Sequence, residues 1–334
     1  MAMHLAIVGA TGAVGQEVCA ILAQRQTNVT QVSLFASSRS AGQSITVRGK
    51  STPVQELNAR SFEGVNAAIF SAGAERSRAF APIAVQAGAI VIDNSSAFRM
   101  ENAVPLVVPD INDADAAQHH GIVAVPNCSA IILCMAVWPL HRINPIKRIV
   151  VSTYQAASGA GAAAMEELRT QTVDVLAGRR ATPKVFPHPI AFNLFSHNTP
   201  VGPDGYNGEE RKLIEETRKI MHAPNLALTA TCVRVPVYRA HSESINLTFD
   251  RPMTPNEARK ILSGAPGIRV VDEVAAGKFP MPIEAAGGDD VLVGRIRQDA
   301  SQPDGRGLDV FVCGDQLRKG AALTAVQILE LLCP

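Results

Sequence analysis

The sequence predicts a doubly wound α/β domain with a parallel sheet, followed by an α+β domain built on a mainly antiparallel sheet. Three observations lead there. At 334 residues the chain is comfortable for two domains, on a prior of roughly 150 residues each. Up to about Asn127, short apolar strands alternate with helical segments, the pattern of a parallel sheet covered on both faces. Beyond it the strands are longer and partly alternate between apolar and polar residues, as antiparallel strands do.

In order, HLAIVG (4–9) reads as a strand ending in glycine. The segment after it carries Val14, Val18, Ile21 and Leu22 at helical spacing. VSLFAS (32–37), AAIFSAG (67–73), AIVIDNSS (89–96) and PLVVP (105–109) read as further strands, with an alanine-rich helix from Arg76 to Gln86. In the second half, RIVVSTYQAASG (148–159), LALTATCVRVPV (226–237), ESINLTFD (243–250) and VLVGRIRQD (291–299) read as strands. Helical patterns cover 162–178 and 209–221, and the Pro-, His- and Asn-rich stretch 178–208 reads as a long excursion. The boundaries expected are 1–127 and 128–314, with the amphipathic segment within 315–334 packing back onto the first domain. No internal repeat or low-complexity tract is present.

Composition narrows the function classes. Hydrophobic residues make up 47% of the chain, charged ones 18% and aromatics 4%, and the net charge is +1 with no long run of either sign. Neither a nucleic-acid nor a membrane surface is expected from such a balance. The longest apolar run, Ala130 to Leu140, falls short of the ~20 residues a membrane span needs. MAMHLAIVGATG runs straight into a strand, so no signal peptide is expected and the protein is read as cytoplasmic, with its six cysteines reduced.

Gly9-x-x-Gly12-x-x-Gly15 follows a strand and opens a helix, the setting of a dinucleotide fingerprint, although its spacing departs from GxGxxG. Glycine lets the backbone approach a pyrophosphate, and the helix amino terminus offers free N–H groups. An NAD site places an acid about 20 residues on. Between Glu17 and Glu56 there is no Asp or Glu. After the second strand stand Ser37, Ser38, Arg39 and Ser40, donors suited to a 2′-phosphate, so NADP is expected as the cofactor.

Cys128 sits between a Pro-Asn turn and an apolar helical run that Pro139 is expected to terminate. A helix amino terminus stabilises a thiolate, the nucleophilic form. Cys19, Cys134 and Cys232 lie among apolar neighbours and read as small buried hydrophobes. A thiolate nucleophile needs a proton partner, and histidine titrates in the right range. His119 and His120 read as a polar turn, while His188 and His197 fall in the excursion. No histidine has the HExxH spacing of a zinc site, and no metal is expected. His241 stands at a strand end, close in sequence to Arg234; on its own, a histidine so placed is more often structural than catalytic.

GATGAVG, SAG, DNSSAFRM, VPLVVP, PNCS, STYQAASGAG, PIAFN, EERK, CVRVPV, AHSES, VGRIR and KGAA occur in this order. Together they make the chain resemble the aspartate-semialdehyde dehydrogenases along essentially its whole length. That resemblance implies a Rossmann-type first domain, a catalytic and dimerisation domain, and a homodimer. It implies NADPH-dependent reductive dephosphorylation of L-aspartyl 4-phosphate to aspartate semialdehyde and phosphate, through a cysteine thioester. Lysine, diaminopimelate, methionine and threonine synthesis would draw on the product. By resemblance, Cys128 is the nucleophile, Gln155 orients the acyl group and His241 is the acid/base. Arg234 would hold the substrate α-carboxylate, Glu209 its ammonium, and Arg99, Asn127 and Lys212 the phosphate. Gly9, Thr11, Gly12, Ala13, Val14, Ser37, Arg39, Ser40, Ser71 and Gly73 match cofactor-binding positions, and Ser158, Gly159 and Gln327 match residues near the nicotinamide.

Two departures stand out: Ala130 replaces a threonine common in the family, and 178–208 is shorter than in some members. An N-acetyl-glutamyl-phosphate reductase would share fold and thiol chemistry, but its substrate has no ammonium for Glu209 to face. A non-catalytic dinucleotide-binding paralogue should have lost Cys128, Arg234 and His241, which this chain keeps.

Overall fold

The structure, a computed structural model, describes residues 3–333. Its chain divides into two compact units, one holding the residues up to Asn127 with the segment from Gly320 onward, the other spanning Cys128–Lys319.

The first unit contains β1 (Met3–Val8), α1 (Ala13–Gln24), β2 (Val29–Ala36), β3 (Ser44–Val47), β4 (Lys50–Glu56), β5 (Ala67–Phe70), α2 (Ala74–Gln86), β6 (Ile90–Asp93) and β7 (Ile122–Ala124). They form one sheet in the order β3-β4-β2-β1-β5-β6-β7. All neighbours are parallel except β3 and β4. β5 is buried at every position, which fits a strand covered on both faces. The strand order reverses at β1, so a crevice opens beyond its carboxyl end, where α/β sheets bind ligands. The β3–β4 hairpin has no clear hydrophobic alternation and is not legible from the sequence pattern. It turns on Arg48 (φ 50°) and Gly49 (φ 77°), the double positive φ of a two-residue hairpin. PLVVP does not form the expected strand. It makes a single bridge, Leu106 to Ala124, because the prolines at its two ends cannot donate to a ladder.

The second unit contains α3 (Cys128–Ile143), β8 (Ile146–Gln155), α4 (Ala162–Leu176), β9 (Phe195–Ser196), α5 (Gly208–Ile220), β10 (Ala227–Arg234), β11 (His241–Phe249), α6 (Pro255–Ser263), β12 (Ile268–Val270), α7 (Pro282–Ala285), β13 (Val291–Gln298) and β14 (Gly307–Gly314). Its sheet runs β12-β13-β14-β11-β8-β10-β9. Two pairs, β8–β10 and β12–β13, are parallel, and the others antiparallel. The helix α3 packs on one face of this sheet and meets both α5 and α6.

Pro139 does not end α3, which continues to Ile143. A proline inside a helix costs about 3 kcal/mol. Here Ile131, Ile132, Leu133, Val137 and Leu140 are all fully buried, each worth about 1.5–3 kcal/mol, so packing prevails. The 178–208 excursion is tied down by α4. Glu167 accepts from the backbone N–H groups of Lys184 (3.0 Å) and Val185, and Gln171 accepts from that of Ile190 at 2.8 Å. The last helix, α8 (Leu323–Leu332), is entered through a π-helical turn over Arg318–Ala322 and packs beside α1 in the first unit.

Candidate active site

Side chains of one face of the second sheet converge at one end of it. Arg234 on β10 pairs in register with Gln155 on β8, and His241 on β11 pairs with Gly314 on β14. Ser242, next along, pairs with Tyr154, so β11 brings His241 level with Gln155. Gly314 leaves room for α3: a Cβ there would lie 2.8 Å from Cγ1 of Ile132. Cys128 is the first residue of that helix and only partly exposed. Its neighbour Ser129 is fully buried and accepts a hydrogen bond from Nε2 of Gln155 at 2.6 Å. The helix end carrying the thiol is thereby fastened to the strand end carrying the other groups.

Nε2 of Gln155 also donates to Oε1 of Glu209 at 3.1 Å, and Nζ of Lys212 lies 3.2 Å from Oε2 of the same carboxylate. Glu209 is placed by the start of α5, where Asn207 caps the backbone N–H groups of Glu209 and Glu210 at 3.0 Å in a capping box. Glu210 in turn accepts from the backbone N–H of Cys232 at 3.0 Å, which docks α5 on β10. The buried guanidinium of Arg234 donates through Nη1 to the carbonyl of Ala156 at 3.3 Å and lies over the Phe186 ring at 5.6 Å. Burial works against its charge, while Glu209 and Cys128 favour it.

His241 is fully buried. The backbone N–H of Ala156 donates to its Nδ1 at 3.0 Å. A backbone N–H can only donate, so Nδ1 is the bare nitrogen and Nε2 carries the proton of the neutral ring. Nε2 has no hydrogen-bond partner among the described residues. Burial first, then the Arg234 guanidinium, pushes the imidazole pKa down to about 3. A Cβ on Gly159 would stand 2.9 Å from Cε1 of His241 and 3.0 Å from both its Nε2 and Nη1 of Arg234. Only glycine leaves that volume open.

Burial raises the other cysteine thiols, to about 11 for Cys19 and about 12 for Cys313. Cys134 and Cys232 are pushed up as well. These are inert core thiols, and all six cysteines are free among the described residues. Among the described residues no group of His, Cys, Asp or Glu could hold a metal ion, and no helix is long and apolar enough to cross a membrane.

Of the residues singled out in the sequence, the second unit brings together Cys128, Gln155, Ser158, Gly159, Glu209, Lys212, Arg234 and His241. The remaining candidate phosphate- and cofactor-binding residues lie in the first unit. Arg99 is buried there, donating to the carbonyls of Val125 and Asn94 at 2.9 Å each. Asn127 is buried at its end, and Gln327 is on α8.

The glycine turn fits a dinucleotide. Gly9 has φ 89°, and a Cβ on it would strike the Ser71 backbone at 2.8 Å, so the turns after β1 and β5 meet at the sheet's crossover point. Gly12 precedes Ala13 and Val14 as the N-cap of α1 without any side-chain cap, and no acid occupies the first turn. Those N–H groups suit a diphosphate. A Cβ on Gly15 would meet the Gly9 carbonyl oxygen at 2.3 Å, so helix and turn touch only because it is glycine. Ser37 and the turn Ser38–Ser40 follow β2, with Arg39 exposed, and Gly73 (φ 89°) caps α2.

Several residues here escape a sequence reading. Ser129 follows the cysteine but carries no pattern of its own. His197 is buried in the excursion and bonded to Thr199, and its charge interacts with Glu209, Arg234, Lys212 and His241. Asn94, just after β6, has a buried amide with no hydrogen-bond partner among the described residues. The tripeptide before it (Val91–Asp93) is legible only as strand.

A dinucleotide-type sheet unit, together with a unit that sets a cysteine at a helix start beside Arg and His, defines the semialdehyde dehydrogenase class. Two family profiles match accordingly: "Semialdehyde dehydrogenase, NAD binding domain" over residues 4–119 and "Semialdehyde dehydrogenase, dimerisation domain" over 137–319. The chain is 51% identical to the aspartate-semialdehyde dehydrogenase of Synechocystis sp. over 330 residues, spanning 99% of this chain and 97% of that one. It is 45% identical to the Bacillus subtilis enzyme, over 99% and 97% of the two chains. The crystal structure of aspartate semialdehyde dehydrogenase II from Vibrio cholerae, complexed with ASA, superposes with a TM-score of 0.94 at 40% identity, over 99% and 98% of the chains. The chain belongs to the aspartate-semialdehyde dehydrogenase family.

Proposed function

We propose that this protein is an NADP-dependent, phosphorylating aspartate-semialdehyde dehydrogenase that forms a thioester on Cys128. It would act as a cytoplasmic homodimer feeding lysine, diaminopimelate, methionine and threonine synthesis. The observation that carries the reading is that Gln155, level with Arg234 on the neighbouring strand, binds both Glu209 and the start of α3, which sets the two opposite charges at one place. Opposite charges held at one sheet end suit the carboxylate and ammonium of an amino-acid headgroup, with the thiol ready for its side-chain carbonyl. An N-acetylated substrate would leave Glu209 buried against an uncharged amide.

In the biosynthetic direction the Cys128 thiolate is favoured by the N–H groups at the start of α3 and by the Arg234 charge. Its sulfur bonds to the acyl carbon of aspartyl phosphate, the carbon–oxygen bond to phosphate breaks, and phosphate departs and takes up a proton. NADPH, held by the turn at Gly9–Val14, would supply the hydride that reduces the thioester carbonyl to an alkoxide. The alkoxide then reforms its C=O and returns the thiolate to Cys128. In both halves the protein meets a developing oxyanion. The Nε2–H of neutral His241 is the donor for it, an acid that hydrogen-bonds without needing to become imidazolium. Gln155 keeps Cys128 and Glu209 in one frame, while Arg99, Asn127 and Lys212 take the phosphate role that the family resemblance implies. The turn at Gly9–Val14 would hold the diphosphate, and Ser37, Arg39 and Ser40 the 2′-phosphate. Ser71, Gly73, Ser158, Gly159 and Gln327 complete the cofactor set.

The test is phosphate-dependent NADP reduction with aspartate semialdehyde. The protein should turn over with phosphate and aspartate semialdehyde and fail with N-acetyl-glutamate semialdehyde. The reverse preference, or no phosphate dependence, would refute the reading.

A further inference from the structure

Arg234 is buried, and a buried guanidinium keeps its charge and its place only if neighbours replace the water it has lost. Its Nη1 donates to the carbonyl of Ala156 at 3.3 Å, a long contact, and its Nε has no hydrogen-bond partner among the described residues. A ring covers one face of the group instead. The guanidinium carbon stands 5.6 Å from the centre of Phe186, within the range where the negative face of an aromatic ring attracts a cation. Nη1 also borders open space, since a Cβ on Gly159 would lie only 3.0 Å from it. The cation is thus held by a ring on one face and borders the volume that the glycine leaves free.

Phe186 lies in irregular chain between α4 and β9, where no ladder or helix fixes its backbone. The helix α4 does so from the side. Glu167 is buried on it, and its carboxylate accepts from three consecutive backbone N–H groups, those of Lys184 (3.0 Å), Val185 and Phe186 (3.4 Å). One turn along, Gln171 donates to the same carboxylate at 3.0 Å and accepts from the N–H of Ile190 at 2.8 Å. Phe195, which pairs with Arg234 across β9 and β10, packs against the Phe186 ring at 66° with centroids 5.7 Å apart. The backbone is therefore pinned at Phe186 itself, and the ring is braced from the strand beside Arg234.

We propose that Phe186 is a positioning residue whose ring face fixes the Arg234 guanidinium and so sets how tightly the substrate α-carboxylate is held. This rests on the proposed function, in which Arg234 takes that carboxylate. The carboxylate keeps its charge through both halves of the reaction, so a grip on it favours ground state and transition state alike. Phe186 should therefore govern KM for the amino-acid substrate and leave kcat nearly unchanged.

The experiment measures phosphate-dependent NADP reduction by the full-length enzyme as the parent, as Phe186→Leu, and with Phe186 replaced in turn by 4-fluoro-, 3,5-difluoro- and 3,4,5-trifluorophenylalanine. Leucine keeps most of the apolar volume and removes the ring face. Fluorine withdraws charge from the ring face and changes its size little, so a residue that merely fills space would not register the series. KM for aspartate semialdehyde should climb stepwise with fluorination and reach about tenfold in the trifluoro protein and in Phe186→Leu, the scale of a desolvated cation–π contact. The values of kcat, and of KM for NADP and phosphate, should stay within about threefold of the parent. The fluorinated proteins keep the native shape, so the series decides the matter even if Phe186→Leu does not fold. A flat KM along the series, a loss that falls on kcat, or an equal rise in KM for NADP or phosphate overturns the proposal while leaving the function intact. Absence of turnover in the parent overturns the function, and this role with it.

Discussion

The backbone N–H of Ala156 donates to Nδ1 of His241 at 3.0 Å, and this one contact decides how the histidine acts. It fixes Nε2 as the protonated nitrogen and leaves an imidazolium, which needs a proton on Nδ1, facing a donor. The imidazole of His241 is therefore a neutral hydrogen-bond donor in the resting protein.

Stability should show it. His241 is held down to about 3 and His197, also by burial, to about 4. The unfolded chain binds protons at these positions below the ordinary histidine value near 6.5, while the folded chain stays neutral. Their contribution is thus whole above pH 6.5 and is lost as pH falls towards 4, each with a slope of up to about 1.4 kcal/mol per pH unit. Denaturant midpoints measured from pH 7 to pH 4 should fall less steeply for His241→Gln than for the parent. Parallel curves would contradict the buried neutral ring.

The opposite sign holds for Glu243. It is fully buried on β11, neither oxygen has a hydrogen-bond partner among the described residues, and burial raises its pKa well above the ordinary value. Above about pH 4.5 the unfolded chain gives up this proton while the folded chain keeps it. The parent therefore loses stability relative to Glu243→Gln as pH rises. The glutamine variant should denature at higher urea than the parent at pH 8 and at nearly equal urea at pH 4. A less stable variant at pH 8 would reveal a charged, partnered carboxylate.

Gly159→Ala places a methyl group 2.9 Å from Cε1 of His241 and 3.0 Å from Nη1 of Arg234. Both groups must shift, and kcat/KM for aspartate semialdehyde should fall about 100-fold. An active alanine variant would mean that the volume beside Gly159 is not where the substrate sits.

Much of this was legible in the sequence because the chemistry is carried by short strings at element ends. PNCS gave the helix start, CVRVPV and AHSES the strand ends bearing Arg234 and His241, and GATGAVG the turn. What stayed hidden depends on register. Whether β10 pairs with β8 or with its sequence neighbour β11 is settled by three-dimensional pairing, and that choice sets Arg234 level with Gln155. Strand β14 is not legible because GLDVFVCG follows a turn-rich stretch that masks its start. His197 lies in irregular chain, which has no period to read. Pro139 misled in the other direction, since a local rule gave way to burial of the surrounding helix.

The selection of cofactor can be separated from the chemistry. Arg39 is exposed after β2 with no acid nearby in sequence. Arg39→Ala should weaken NADP binding about tenfold, the scale of a lost charge-assisted contact, and leave NAD binding unchanged. Equal loss for both nucleotides would place the 2′-phosphate elsewhere.

The sulfur of Cys128 is where the account is most exposed. Enzyme mixed with aspartate semialdehyde and NADP in the absence of phosphate should release a burst of NADPH equal to the active-site concentration, then stall. Peptide mass spectrometry of the stalled enzyme should find the aspartyl acyl group on Cys128, and added phosphate should remove it. No burst, or an acyl group on any other residue, would contradict the mechanism.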